Sequence, residues 1–157
     1  MSTWSVEVGE QVTAVRTDGY ELLAPVGARL LSEATLLGDP PRPEELTNAI
    51  GAMVDHLDDV VRERPDVIGA EVCVSGPEVL AIAAVELGHD APLPIELGRE
   101  AIEDVFRTLA TERATDRRHN PGLPGALVGT VVAGCCILVA LMRRLHLDSI
   151  TVVGGTA

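Results

Sequence analysis

Residues 4–24 read WSVEVGEQVTAVRTDGYELLA, and this stretch decides the fold. It contains three short β-like runs with alternating or β-branched side chains: Trp4–Val8, Val12–Arg16 and Tyr20–Ala24. The Asp18-Gly19 pair between the second and third runs is a strong short-range hairpin signal, because a tight two-residue turn needs backbone conformations that Asp and Gly tolerate. The chain is therefore predicted to open as a small antiparallel meander.

Helices and strands are predicted to alternate after the meander. Helical spacing of apolar residues or buried apolar runs point to a helix from Pro43 to about Arg64, a strand Val67–Val74, helices Glu78–Leu87 and Arg99–Arg113, and a last strand Ser149–Val153. No linker or internal repeat divides the chain, and 157 residues suit one domain. We expect a single α/β domain over residues 1–157, with helices packed on a mixed sheet.

Composition excludes several classes of protein. Hydrophobic residues make up 46% of the chain, which is incompatible with disorder. Only three residues are aromatic, too few for a stacking platform for single-stranded nucleic acid. All 12 basic residues are arginine against 24 acidic residues, and the net charge of −12 opposes nucleic acid and other polyanions. No lysine is present, so a Schiff base or a phosphate-loop lysine is impossible.

The cysteines and histidines indicate a reducing setting without a metal. The three cysteines form no Cys-x-x-Cys pair, and an odd count without a secretory signal predicts a cytoplasmic location. Adjacent Cys135 and Cys136 lie in an apolar run and are expected to pack as small hydrophobic residues. The histidines are scattered and show no zinc-ligand spacing: His56, His89, His119 and His146.

The run from Gly125 to Met142 contains no charged residue. Its length suits a membrane helix, and Arg143-Arg144 follow it, as at a membrane boundary. However, it opens with Gly after Pro124, and the rest of the chain has an α/β pattern. A fully buried central helix explains the run equally well and is the preferred interpretation, with a membrane helix over 125–142 as the alternative.

Several stretches, taken in order, resemble the exopolyphosphatase and guanosine pentaphosphate phosphohydrolase (Ppx/GppA) family. They are residues 39–46 (DPPRPEEL), 26–30 (VGARL), 121–123 (PGL), 131–134 (VVAG) and 147–152 (LDSITV). The resemblance implies an actin-like ATPase (ribonuclease H-like) lobe. It covers only the second half of the family's phosphatase module, and nothing in the chain resembles the first lobe. The family's active site lies between two lobes, so this chain would supply one wall.

The resemblance also implies positions for a phosphate site. The family's loop Asp-x-Gly-Gly-Gly-Ser-Thr-Glu is matched by residues 7–14, which places Glu7, Gly9, Glu10, Gln11 and Thr13 at phosphate-loop positions. Its later Gly-Gly-Thr turn is matched by Ser75, Gly76 and Pro77, and a strand–turn–helix of this kind can present amides to an anion. Its Arg-Ala-Asp triplet is matched by Leu127-Val128-Gly129. The matched positions keep one loop glycine of three.

These departures remove phosphate-binding groups and leave the scaffold. Glu10 places a negative charge where amides should meet phosphate, and Pro77 removes a backbone donor. No catalytic residue and no metal ligand is assigned; an active hydrolase would need Mg²⁺, with Glu7 as a candidate to hold a metal or a water. We expect this chain to be inactive by itself. The alternatives are an active phosphoanhydride hydrolase, a non-catalytic lobe that binds a separate first lobe or a second copy, and the remnant of a split gene.

Overall fold

A computed structural model describes residues 3–154, so the ends of the expected domain lie outside the described residues. The chain opens with the predicted meander: β1 (Thr3–Val8), β2 (Thr13–Thr17) and β3 (Tyr20–Ala24), each antiparallel to the one before. Thr17 pairs with Tyr20 across the Asp18-Gly19 turn, and Gly19 has a φ of +73°. That left-handed conformation is the reason for glycine here.

Helices and strands alternate through the remainder of the chain. In order they are α1 (Ala28–Ala34), α2 (Pro43–Glu63), β4 (Glu71–Ser75), α3 (Pro77–Leu87), β5 (Ile95–Gly98), α4 (Arg99–Ala110), α5 (Ala114–Arg117), α6 (Val131–Arg144) and β6 (Ser149–Val152). Two 3₁₀ turns, Pro65–Val67 and Gly125–Leu127, precede β4 and α6.

All six strands form one mixed sheet in the order β3-β2-β1-β4-β6-β5. The central strands β1, β4 and β6 are parallel, whereas β5 runs antiparallel to β6 at one edge. Parallel neighbours need crossover connections, which α1 and α2 supply between β1 and β4. The expected α/β class with a mixed sheet is confirmed.

The uncharged run forms a buried helix, as preferred. Residues 131–142 of α6 are all buried, and α6 packs against α1, α2, α3 and α4. The helix begins at Val131 rather than Gly125, because residues 125–127 form a 3₁₀ turn. Within residues 3–154, no helix combines the length and the apolar character that a bilayer crossing requires. The continuous helix over 125–142 that the membrane alternative assumed does not form, because α6 covers only residues 131–144.

Two further element boundaries lie three or more residues from those expected, and one strand was not predicted. The strand placed at Val67–Val74 begins at Glu71, because Pro65 starts a 3₁₀ turn and Gly69, at a φ of +70°, donates its N–H to Leu145 O. Strand β5 was not predicted, since its four residues are held mainly by pairing with β6. Helix α4 ends at Ala110, three residues before the expected Arg113.

Candidate functional site

A crevice of about 320 Å³ lies at the carboxyl ends of β1 and β4. Glu7 on β1 pairs with Ser75 on β4, so the turns that follow these two parallel strands meet at the same sheet edge. This edge is where ligands commonly bind in open α/β sheets. The candidate crevice is lined by both turns, the first turn of α3 and the 3₁₀ turn before α6: Glu7, Val8, Gly9, Glu10, Val12, Ser75, Gly76, Pro77, Glu78 and Leu127.

Five of the seven expected phosphate-loop residues line this crevice: Glu7, Gly9, Glu10, Ser75 and Gly76. The other two do not. Gln11 is exposed on the turn between β1 and β2 and is not part of the lining. Thr13 is buried, and its hydroxyl donates to Val26 O at 2.6 Å, so it secures the chain after β3 instead of facing a ligand.

The turn between β1 and β2 uses its backbone groups within the fold. Gly9 N–H donates to Val12 O at 3.0 Å. The carbonyls of Gly9 and Glu10 accept the first amides of α1, from Ala28 at 2.9 Å and from Arg29 and Leu30 at 3.0 Å. These contacts occupy donors that an anion would need, so the turn forms a closed corner of the fold.

The turn between β4 and α3 is equally constrained. Gly76 has a φ of +133°, and a Cβ on it would lie 2.5 Å from Val8 O, so glycine is required by conformation and by space. Pro77 occupies the first position of α3 and has no N–H to offer. This turn, which the resemblance placed at the phosphate site, lines the candidate crevice.

Sequence reasoning missed Glu78 as a lining residue. Glu78 is only 5% exposed, and its Oε2 accepts a hydrogen bond from Thr130 Oγ1 at 2.8 Å. A Cβ on Gly134 of α6 would lie 2.6 Å from Glu78 Cβ, so the two helices approach closely at this point. An acidic residue after Pro77 was visible in the sequence, but its burial depends on α6, 52 residues along the chain.

The lining of the crevice is negatively charged. Glu7, Glu10 and Glu78 contribute three carboxylates, and no arginine of residues 3–154 is among the lining residues. Leu127 stands where the resemblance places the family's arginine. A carboxylate-lined concavity repels a phosphate group instead of attracting it.

The two arginines nearest the loop in sequence are held in ion pairs with its glutamates. Arg16 lies 3.4 Å from Glu7 and 2.6 Å from Glu21, and Arg29 lies 3.3 Å from Glu10. The hydrogen bond to Glu21 raises the pKa of Arg16, and the one to Glu10 raises the pKa of Arg29. The Arg16–Glu7 and Arg29–Glu10 pairs are at the surface, where each arginine partly neutralises its glutamate. Neither pair leaves a net positive charge beside the loop.

The residues present do not fit a Mg²⁺ site. Within the described chain, no three His, Cys, Asp or Glu side chains are placed together to hold a metal ion. Glu7, the expected candidate, lies at hydrogen-bond distance from Arg16. Mg²⁺ takes oxygen ligands in near-octahedral geometry, and Glu7, Glu10 and Glu78 are not grouped so as to supply them together.

An opening antiparallel meander, followed by two parallel strands with intervening helices, defines one lobe of the actin-like ATPase fold. The particular structures that it matches are Ppx/GppA proteins. An exopolyphosphatase-like protein superposes with a TM-score of 0.88 at 16% identity. A Ppx/GppA enzyme from Aquifex aeolicus gives 0.85 at 17%, and an exopolyphosphatase from Cytophaga hutchinsonii gives 0.81 at 12%.

The chain spans about half the length of these structures. Each match covers 98% of this chain but only 55%, 54% and 53%, respectively, of the other. At such low identity the likeness concerns the fold. No protein-family model matches the sequence, and no curated protein sequence does either.

Proposed function

We propose that this chain is a Ppx/GppA-type lobe that does not hydrolyse phosphoanhydrides by itself and serves as a non-catalytic lobe that binds another polypeptide. The observation that carries the proposal is the candidate crevice, with three carboxylates and no arginine among its described lining residues.

Polyphosphate and guanosine pentaphosphate are polyanions. Their hydrolysis requires cations or preorganised donors for the phosphoryl oxygens, together with a group that orients the attacking water. In the crevice, Gly9 N–H is already bonded to Val12 O and Pro77 has no N–H. The remaining polar groups include Glu7, Glu10 and Glu78, which are acceptors when ionised. The carboxylates of the crevice would thus repel a polyanionic substrate at the sheet edge where a ligand would bind.

The proposal is tested by incubating the 157-residue chain with Mg²⁺ and polyphosphate or guanosine pentaphosphate and measuring released phosphate. We expect no release above that of the Glu7→Ala variant. A matched control is Glu21→Ala, which also loses a partner of Arg16 but lies outside the crevice. Release that Glu7→Ala abolishes and Glu21→Ala preserves would show that the chain is an active hydrolase.

For the partner, we propose a separate first lobe or a second copy of this chain. Val12 at the crevice is 42% exposed, which leaves one apolar side chain for such a partner to contact. Size-exclusion chromatography with light scattering distinguishes the two partners. A monomer at micromolar concentration would eliminate the second copy, whereas a dimer would support it.

We further propose a reducing, cytoplasmic setting. All three cysteines are free: Cys73 is half-buried, and Cys135 and Cys136 are buried. Burial raises the pKa of both Cys135 and Cys136, the latter to about 12, so neither thiol is reactive. Three unpaired thiols are the pattern expected where disulfides are not formed.

A further inference from the structure

One face of the sheet packs on the helices and the other does not. Along β1 the burial alternates strictly: Trp4, Val6 and Val8 are buried, whereas Thr3, Ser5 and Glu7 are exposed. Strands β4 and β6 alternate similarly over most of their length. We call the second surface the open sheet face. It carries the exposed or half-buried residues Thr3, Ser5, Glu7, Glu71, Cys73 and Thr151.

The open sheet face is unusual because its central strands are parallel. Parallel sheets are ordinarily covered on both faces. Across the middle of this face, Ser5 pairs with Cys73 and Cys73 pairs with Thr151, so three small side chains form one row. A row of small residues leaves room for another polypeptide to approach the sheet closely.

A groove of about 470 Å³ lies at one end of this row. Strands β4 and β6 are paired only at Cys73–Thr151 and Val74–Val152, so their amino ends are not joined by ladder pairs. Glu71, Glu96 and Asp148 are among the groove's lining residues, and Cys73 lies on its floor. We call this depression the open-face groove.

The open-face groove has unbalanced negative charge. Among residues 3–154, none of Glu71, Glu96 and Asp148 takes part in an ion pair within 4.0 Å. His146 also lines the groove. The single arginine within the six strands, Arg16, is bound to two glutamates elsewhere on the face. An occupant must therefore bring positive charge.

We propose that the open-face groove is the docking site of a basic helical segment of another polypeptide, one whose Lys or Arg side chains reach Glu71, Glu96 and Asp148. This inference rests on the proposed role as a partner-binding lobe. A helix is the element that covers a sheet face in layered α/β folds, and the row of small side chains accommodates it. A second copy meeting face to face would bring two acidic surfaces together, so charge disfavours it.

Cys73 provides a direct reporter of occupancy. It is the half-buried thiol on the groove floor, while Cys135 and Cys136 are buried in α6. A thiol reagent should therefore label the native chain once, and a Cys73→Ser variant should not be labelled. The probe is a 15-residue alanine-based helical peptide with four arginines along one face. A peptide of the same length with glutamates in their place is the control.

At physiological salt, with the arginine peptide at about five times its Kd, labelling of Cys73 should slow about sixfold, because only the free chain reacts. The double variant Glu71→Gln/Glu96→Gln should weaken that Kd about fivefold through the loss of two charge contacts. The matched control is Glu86→Gln/Glu100→Gln, which removes the same charge from exposed positions on α3 and α4. This control should retain the original Kd.

Three results would each overturn the docking proposal: no protection by the arginine peptide, equal protection by the glutamate peptide, or equal weakening by the two double variants. The last result would mean that the peptide responds only to net charge. Labelling does not depend on phosphate chemistry, so a negative outcome leaves the hydrolysis result intact. Conversely, detection of phosphate release would not alter the labelling outcome.

Discussion

Glu45 stabilises the loop of residues 37–42, which precedes α2. Its carboxylate is buried and accepts hydrogen bonds from three backbone amides, those of Leu37 at 3.2 Å, Gly38 at 3.0 Å and Arg42 at 2.8 Å. Glu45 lies in the first turn of α2, where an acidic side chain is favourable because of the helix dipole. Residues 37–42 fold around this carboxylate, so that three of their amides reach it. The sequence pattern does not predict these three hydrogen bonds.

The amide hydrogen bonds, that of Arg42 foremost, lower the pKa of Glu45. A carboxyl whose pKa is lowered by folding contributes stability above its unfolded pKa and loses it as the pH falls through the folded value. The wild-type chain should therefore lose more stability than Glu45→Gln when the pH is lowered from about 6 to about 3. Urea midpoints at both pH values measure this. Equal losses in the two proteins, with exposed Glu44→Gln as the control, would refute the role of Glu45.

Arg117 is a buried cation without a carboxylate partner among the described residues. Its Nε donates to Leu109 O at 3.0 Å, its Nη1 to Val128 O at 3.1 Å and its Nη2 to Glu112 O at 2.7 Å. Burial lowers its pKa. The guanidinium thereby joins the end of α4 to the segment that reaches the candidate crevice at Leu127.

Replacing Arg117 with methionine should destabilise the chain by about 3 kcal/mol, because two buried carbonyls and one half-buried carbonyl lose the guanidinium as donor. Its neighbour Arg118 is exposed, so Arg118→Met should change stability by less than about 0.5 kcal/mol. Chemical denaturation of both variants gives the comparison. Similar midpoints for the two would show that the carbonyls find other donors.

At the scale of elements, α6 and α3 are joined most closely at Gly134. A Cβ there would lie 2.6 Å from Glu78 Cβ, whereas a Cβ on Gly129 would meet nothing within 4 Å. Gly134→Ala should therefore cost about 1–3 kcal/mol through overpacking, and Gly129→Ala should be nearly neutral. Thermal or urea unfolding of the pair tests this. A neutral Gly134→Ala would mean that α3 can shift away from α6 without strain.

Elements with local signals were predicted well from the sequence. The meander follows from the Asp18-Gly19 turn, and α2 from its helical period, because both depend on nearby residues. The uncharged run left two interpretations open, since a buried helix and a membrane helix are both removed from water. Strand β5 depends on pairing with β6, more than 50 residues away, and no local pattern marks it.

The candidate crevice was predicted only in part for the same reason. Glu7, Gly9 and Ser75 lie at strand ends, where the topology brings them together. Glu78 is held in the lining of the crevice by its hydrogen bond with Thr130. Thr13 is not a lining residue, because its hydroxyl is bonded to Val26 O inside the fold. Both outcomes depend on side-chain contacts across the fold, which spacing along the chain does not reveal.

At the scale of the whole molecule, negative charge predominates at the two concavities described above, the candidate crevice and the open-face groove. The net charge is −12, the candidate crevice contains three carboxylates, and the open-face groove contains three more. One Ppx/GppA-like lobe would thus repel phosphate at the crevice and attract a basic partner on the open sheet face. The central claim is the first of these two proposals, that a chain with this fold does not bind phosphate tightly at the crevice.

Calorimetric titration of polyphosphate into the 157-residue chain at physiological salt tests that claim most directly. The account predicts binding no tighter than about millimolar, because three carboxylates and no arginine are among the described lining residues of the crevice. The Glu10→Gly/Gln11→Gly variant should bind more strongly, since it removes a carboxylate from the lining. A Glu86→Gln variant, with one exposed charge removed elsewhere, should behave as the wild type does. Micromolar binding by the unmodified chain would contradict the account.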